Sequence, residues 1–282
     1  MNLYEFFISP FQYEFMRNAL WVSIIAGVLA PVTGFWALNR RMVYLMDAMT
    51  HSVLPGVILA AIFGFSYLTG GLMAAVLLAF IVFLLTKSNK APEDGAIGVG
   101  SQTLFASGVL LASQSTDSRN FAHILFGNPF STTSNDIVFL GITALISISL
   151  IRLMQSQLIA STFDHEHATA VGVNVIRVDL VLTVALAATT VVGLSSVGTL
   201  MTISLGITPA ITMRVLGISF MKARYGSVAI GVFCSASGIL ASFHTGIPAG
   251  PAVALICSFV LLLALFGSYV HKELSRRKAL VS

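Results

Sequence analysis

The sequence predicts an all-α integral membrane protein, a polytopic helical bundle of about 8–9 transmembrane helices. Two observations carry that prediction. Of 282 residues, 56% are hydrophobic and only 9% charged, whereas a soluble domain carries roughly 25% Asp, Glu, Lys and Arg. The apolar residues also fall in long runs separated by short polar links, and a helical crossing of a bilayer needs about 20 of them.

Taken in order, the spans run over residues 18–38, 43–64, 68–86, 96–113, 137–154, 178–194, 197–215, 227–243 and 251–270. Two links are longer, at 114–136 and 155–177. Only Ser195 and Ser196 separate the sixth and seventh spans, so one of them is open to being a re-entrant element. Residues 1–17 contain Glu5, Glu14 and Arg17 and do not read as a cleavable signal. The whole of 1–282 reads as a single transmembrane domain.

Lys and Arg accumulate on the cytoplasmic side of membrane proteins. Here 13 of 15 basic residues fall in alternate links and the C-terminal tail, leaving Arg17 and Arg119 on the other side. That asymmetry predicts a cytoplasmic C-terminus and, with nine spans, an external N-terminus. Cys234 and Cys257 lie in apolar segments outside any Cys-x-x-Cys pattern and read as small core residues. The Gly-rich stretch Gly95–Gly100 lacks a Gly-Lys-Ser/Thr ending, so it reads as membrane helix rather than phosphate loop. Any ATP that drives this protein is hydrolysed by a separate subunit.

Of the 11 acidic residues, only Asp47 lies well inside a span, and His51 follows four residues later. That spacing places both side chains on one helical face. Asp47 is about six residues past Arg41, roughly 9 Å of helical rise, which keeps it from the interface. A charge near the bilayer centre costs at least ~2.5–3.5 kcal/mol, so a hydrated path, a bound cation or a structural tie between helices has to compensate. An oxygen donor and an imidazole together suit Mn²⁺, Zn²⁺ or Fe²⁺. Two donors do not complete a site.

Pro55 cannot donate to the carbonyl of His51, so the helix is expected to kink beside this face and expose that backbone oxygen. Pro209 stands in the same relation to Leu205 within a Thr- and Ser-rich span, whose hydroxyls are expected to bond back to their own helix. His244, before Thr245-Gly246-Ile247-Pro248, is either a ligand at the outer mouth or an interfacial histidine. His123 suits a docking surface or plain loop structure. Gly70, Gly71, Ala74 and Ala75 are expected to let helices approach closely. In Asp164-His165-Glu166-His167 adjacent side chains diverge by about 100° around a helix, so the run reads as a solvated, partner-facing surface rather than a metal site.

The run from Met46 to Gly56 resembles the second-helix signature of permeases from bacterial ATP-binding-cassette importers of manganese, zinc and iron. Asp47, Ala48, His51, Leu54 and Gly56 occupy its Asp-Ala-x-x-His-x-x-Leu-x-Gly pattern. Further matches follow in family order at Leu125-Phe-Gly-Asn128, Ala170-Val-Gly-Val173, Val197-Gly-Thr-Leu200, Thr208-Pro-Ala-Ile-Thr212 and Pro248-Ala-Gly-Pro251. The resemblance implies an ATP-driven importer of divalent metal, manganese marginally ahead of zinc and iron, in the bacterial cell membrane. Asp47 and His51 would line the path, with His244 carried over less directly. Its partners would be a second copy of the chain, cytoplasmic ATPase subunits and an extracellular metal-binding protein, with no nucleic acid. The segment near 161–176 resembles the ATPase-coupling element, with Gly172 allowing its turn. The chain itself is expected to have no enzymatic activity and no permanently bound cofactor, the metal being substrate. The alternative is a proton-coupled secondary metal transporter in which Asp47 and His51 relay protons.

Overall fold

The computed structural model describes residues 9–86, 92–114 and 128–281. Lys87, Lys90, Arg119, His123 and the Leu125–Gly127 part of a family motif lie outside the described residues. Twelve α-helices are described: α1 Glu14–Asn39, α2 Val43–Ser52, α3 Leu54–Phe63, α4 Tyr67–Thr86, α5 Glu93–Gln114, α6 Ser134–Leu153, α7 Gln155–Phe163, α8 His165–Ala170, α9 Val175–Ser196, α10 Thr199–Val215, α11 Phe220–Thr245 and α12 Ala249–Val281. Among the described residues, eight spans are long and apolar enough to cross a membrane, α2 and α3 counting together as Val43–Phe63. The helix expected over 197–215 is α10, which at 17 residues is shorter than these eight. Its connection to α9 is sunk into the bundle, where Val197 is fully buried among Val22, Met201 and Leu205.

Helix α1 is the axis of the bundle. In its most apolar stretch 67% of residues are buried, against 11% in α12, so α1 contacts protein on most sides and α12 mainly faces outward. Helices α6, α9, α10 and α11 all pack on α1, and α12 packs on α10 and α11. Helices α2 to α5 form a second group that joins the first chiefly through α9. The outward faces carry large apolar side chains, such as Phe80 and Phe83 on α4 and Phe259 and Phe266 on α12, as acyl-chain contact requires. The helix ends bearing Arg40, Arg41, Arg152, Arg177, Arg214 and Arg224 are called the basic end below.

Lipid offers apolar side chains the same environment as a protein core, so close packing holds membrane helices together. Gly56 of α3 and Gly70 of α4 show this directly. A Cβ on either one would collide with the backbone carbonyl oxygen of the other, and a Cβ on Gly56 would also meet that of Ala74. The small residues singled out in the sequence thus let α4 approach α3. Hydroxyls of α10 bond back to their own helix, as expected. Thr202 donates to Gly198 O at 2.8 Å and Thr212 to Thr208 O at 2.8 Å. Cys234 and Cys257 are free and buried between α11 and α12.

Candidate metal path and coupling corner

Asp47 and His51 lie on α2, which starts at the basic end. His51 falls close to the middle of the 21-residue span Val43–Phe63. The hydrogen-bonded ladder is interrupted immediately afterwards, at Val53, and resumes as α3 with Pro55 in its first turn. Proline is tolerated there because the first helical N–H groups have no intrahelical acceptor. Thr50 Oγ1 donates to Asp47 O at 2.7 Å and Ser52 Oγ to Ala48 O at 2.7 Å, contacts of the kind that bend helices. The helix is thus interrupted beside the Asp–His face, where the sequence predicts a kink.

Asp47 is half-buried and His51 is exposed on the single chain. The His51 imidazole stands edge-on to Phe105 of α5, with ring centroids 5.5 Å apart. Among the described residues, neither the Asp47 carboxylate nor the His51 imidazole has a hydrogen-bond or ion-pair partner in the chain. No internal tie between helices accounts for them. Both groups are thus available, on one face of a helix, His51 near mid-span and Asp47 one turn nearer the basic end, to water, an ion or another chain.

His244 is elsewhere. It lies near the C-terminal end of α11, half-buried with its ring edge-on to Phe243 at 5.3 Å. Phe243 in turn packs with Met16, Ile239 and Ala249 where α1 begins, so His244 is at the end of the bundle away from the basic end. Among the described residues, no three His, Cys, Asp or Glu side chains come together in a group able to hold a metal ion. Asp47, His51 and His244 of one chain therefore do not converge, nor does the run from Asp164 to His167.

That run instead starts α8. The Asp164 carboxylate accepts the His167 backbone N–H at 2.8 Å, capping the helix, while His165, Glu166 and His167 face outward. Gly172 then takes φ +86°, the left-handed turn that leads the chain back into α9. Exposed Phe163, Val171 and Ile176 surround this short helix. The segment is a small, solvated platform at the basic end, with an apolar fringe.

Sequence reading did not anticipate what lies under this platform. Arg40, the residue after α1, has a side chain only 8% exposed and forms an ion pair with Asp179 of α9. It also donates to Ser161 Oγ at 2.8 Å and Thr162 Oγ1 at 3.2 Å, both on α7. Beside it, Phe220 packs against Phe35, Trp36 and Phe163, with ring centroids 5.0, 5.7 and 5.1 Å away. An acid at the basic end of a span was the available signal, but nothing local links Asp179 to Arg40.

A bundle of apolar helices with an unpaired acid and imidazole inside one span defines a polytopic membrane transport protein. Comparison with known proteins makes this specific: the chain belongs to the ABC 3 transport family, whose model matches residues 12–268. The chelated iron transport system membrane protein YfeC of Yersinia pestis is 31% identical over 97% of this chain and 93% of its own length. The manganese transport system membrane protein MntC of Listeria monocytogenes is 30% identical over 90% of each chain. Among solved structures, PsaBC from Streptococcus pneumoniae in complex with Fab superposes with a TM-score of 0.85 at 30% identity, covering 92% of this chain and 94% of that one.

Proposed function

We propose that this chain is the permease subunit of an ATP-driven importer of divalent metal ions, with manganese the first candidate cargo and iron the second. The observation that carries the reading is the unpaired Asp47–His51 face inside a membrane span. Family membership and relatives named for manganese and iron transport support it. The donor set also admits zinc. Proton-coupled secondary transport draws no support from the family match.

One carboxylate and one imidazole do not complete the shell of a divalent ion. A second copy of the chain, presenting the same exposed face, supplies an equivalent pair, and water fills the remaining positions. Pairing also resolves the cost of His51, whose exposed ring would otherwise face hydrocarbon. Cytoplasmic ATPase subunits dock on α7 and α8 at the basic end, which the distribution of Lys and Arg makes the cytoplasmic one, with the C-terminus on the same side. An extracellular metal-binding protein delivers the ion at the opposite end, where His244 is an early ligand. Nucleotide binding then biases which side the Asp47–His51 face opens to.

Co-expression with a partner ATP-binding-cassette ATPase tests this reading. A stable complex that accumulates Mn²⁺ in an ATP-dependent way, compared in parallel with Fe²⁺ and Zn²⁺, is the expected result. Metal uptake that follows a proton gradient without ATP would overturn it.

A further inference from the structure

We propose that Arg40 is the positioning residue through which movement of the ATPase-facing segment reaches the helix that carries Asp47 and His51. This rests on the function proposed above and adds to it the route by which the two ends of the machine are connected.

Arg40 sits at a junction of three elements. Its backbone ends α1, donating to Trp36 O at 3.0 Å. Its guanidinium holds α7 through Ser161 and Thr162 and α9 through Asp179. The two hydroxyls are well suited to this role. Ser161 donates its own proton to Gln157 O and Thr162 to Leu158 O, which leaves their lone pairs directed to a donor. A planar guanidinium can satisfy a carboxylate and two hydroxyl oxygens at once, whereas a lysine ammonium lacks that spread.

The chain after Arg40 is short and stiff. Arg41 takes φ +60°, the sole non-glycine residue with positive φ among the described residues. Met42 N–H then returns to Ala37 O at 2.8 Å, and α2 begins at Val43. Asp47 is thus little more than one helical turn beyond a corner with no slack. Positive φ at a non-glycine residue is unfavourable and persists only where surroundings enforce it. The clamp on Arg40 is such a surrounding.

The aromatic contacts run in parallel. Phe163, exposed on the platform at the end of α7, touches Phe220, which touches Phe35 and Trp36 of α1. A push on α7 is therefore transmitted to the α1–α2 corner by a polar clamp and an apolar stack together. Side chains that are merely buried near the basic end would not link these three elements so directly.

The test uses the full complex of this chain with its ATPase, reconstituted in proteoliposomes, with Mn²⁺ as the ion. The measured quantity is metal taken up per ATP hydrolysed. In Arg40→Gln, ATP hydrolysis should stay near the wild-type rate while metal per ATP falls about tenfold, the scale of one charge-assisted hydrogen bond. Arg40→Lys, which keeps the charge and loses the spread, should fall between. The Ser161→Ala/Thr162→Ala double variant should lower the ratio in the same direction, and it decides the matter alone should Arg40→Gln fail to assemble. An unchanged ratio in folded variants, or loss of both activities in proportion, would reduce Arg40 to a structural residue and overturn the proposal. Failure of the underlying function shows separately, as absence of ATP-driven uptake in the wild type.

Discussion

Arg40 and Asp179 are 139 residues apart and form an ion pair at the corner where α1, α7 and α9 meet. Asp179 is 45% exposed and Arg40 only 8%, so the buried partner suffers more when the pair is broken. Asp179→Ala should lower the unfolding temperature of the detergent-solubilised protein, reflecting a loss of stability on the order of 1–3 kcal/mol for a buried donor left short of an acceptor. Asp179→Asn, which keeps an oxygen acceptor, should cost less. Equal stability of the two variants would mean that the carboxylate oxygen is not what holds Arg40.

The Gly56–Gly70 contact makes a second prediction about stability. Gly70→Ala forces α4 away from α3, and overpacking of this kind costs about 1–3 kcal/mol. Gly141→Ala is the control: nothing lies within 4 Å of a Cβ there, and alanine favours helix by about 1 kcal/mol. Thermal unfolding should move in opposite directions in the two variants.

Asp164 caps α8, a helix of six residues. So short a helix does not persist without its cap and its neighbours, and losing an Asp cap costs about 1 kcal/mol. Asp164→Ala should weaken binding of the ATPase subunit, measured by co-purification or by affinity in detergent. His165→Gln together with His167→Gln should leave metal preference unchanged, since the cap uses the His167 backbone. A shift in metal preference in that double variant would show the run to be a metal site after all.

Pro55 begins α3 immediately after the break at Val53. Pro55→Ala restores an N–H able to bond to His51 O and should make α2 and α3 more continuous. Transport per folded complex should slow more than the yield of folded complex falls. An unchanged rate would assign the proline to packing.

The parts of this structure that were readable beforehand are those set by local rules. Asp47 and His51 share a face because four residues make about one turn. Pro55 interrupts the helix because it lacks an N–H, and Gly172 turns the chain because it tolerates positive φ. What was not readable depends on distant chain segments. The Arg40 clamp needs Ser161, Thr162 and Asp179 brought to one point, and Phe105 meets His51 only because α5 packs on α2. Whether the 197–215 segment is a crossing or a re-entrant element was open for a similar reason, since Val197 at its start is buried against distant parts of the bundle. Metal identity was not legible either, because a carboxylate and an imidazole serve several ions.

In the proposed mechanism Asp47 and His51 contact the transported ion. The most direct measurement is ATP-dependent ⁵⁴Mn uptake into proteoliposomes containing the complete complex, comparing wild type with Asp47→Ala and His51→Ala. Among the described residues neither polar group has a hydrogen-bond or ion-pair partner, so the variants should assemble and unfold at temperatures close to wild type. Uptake should nevertheless fall by at least about tenfold in each, the loss of roughly 1.4 kcal/mol that one ligand or more contributes. Wild-type uptake by both assembled variants would contradict the account.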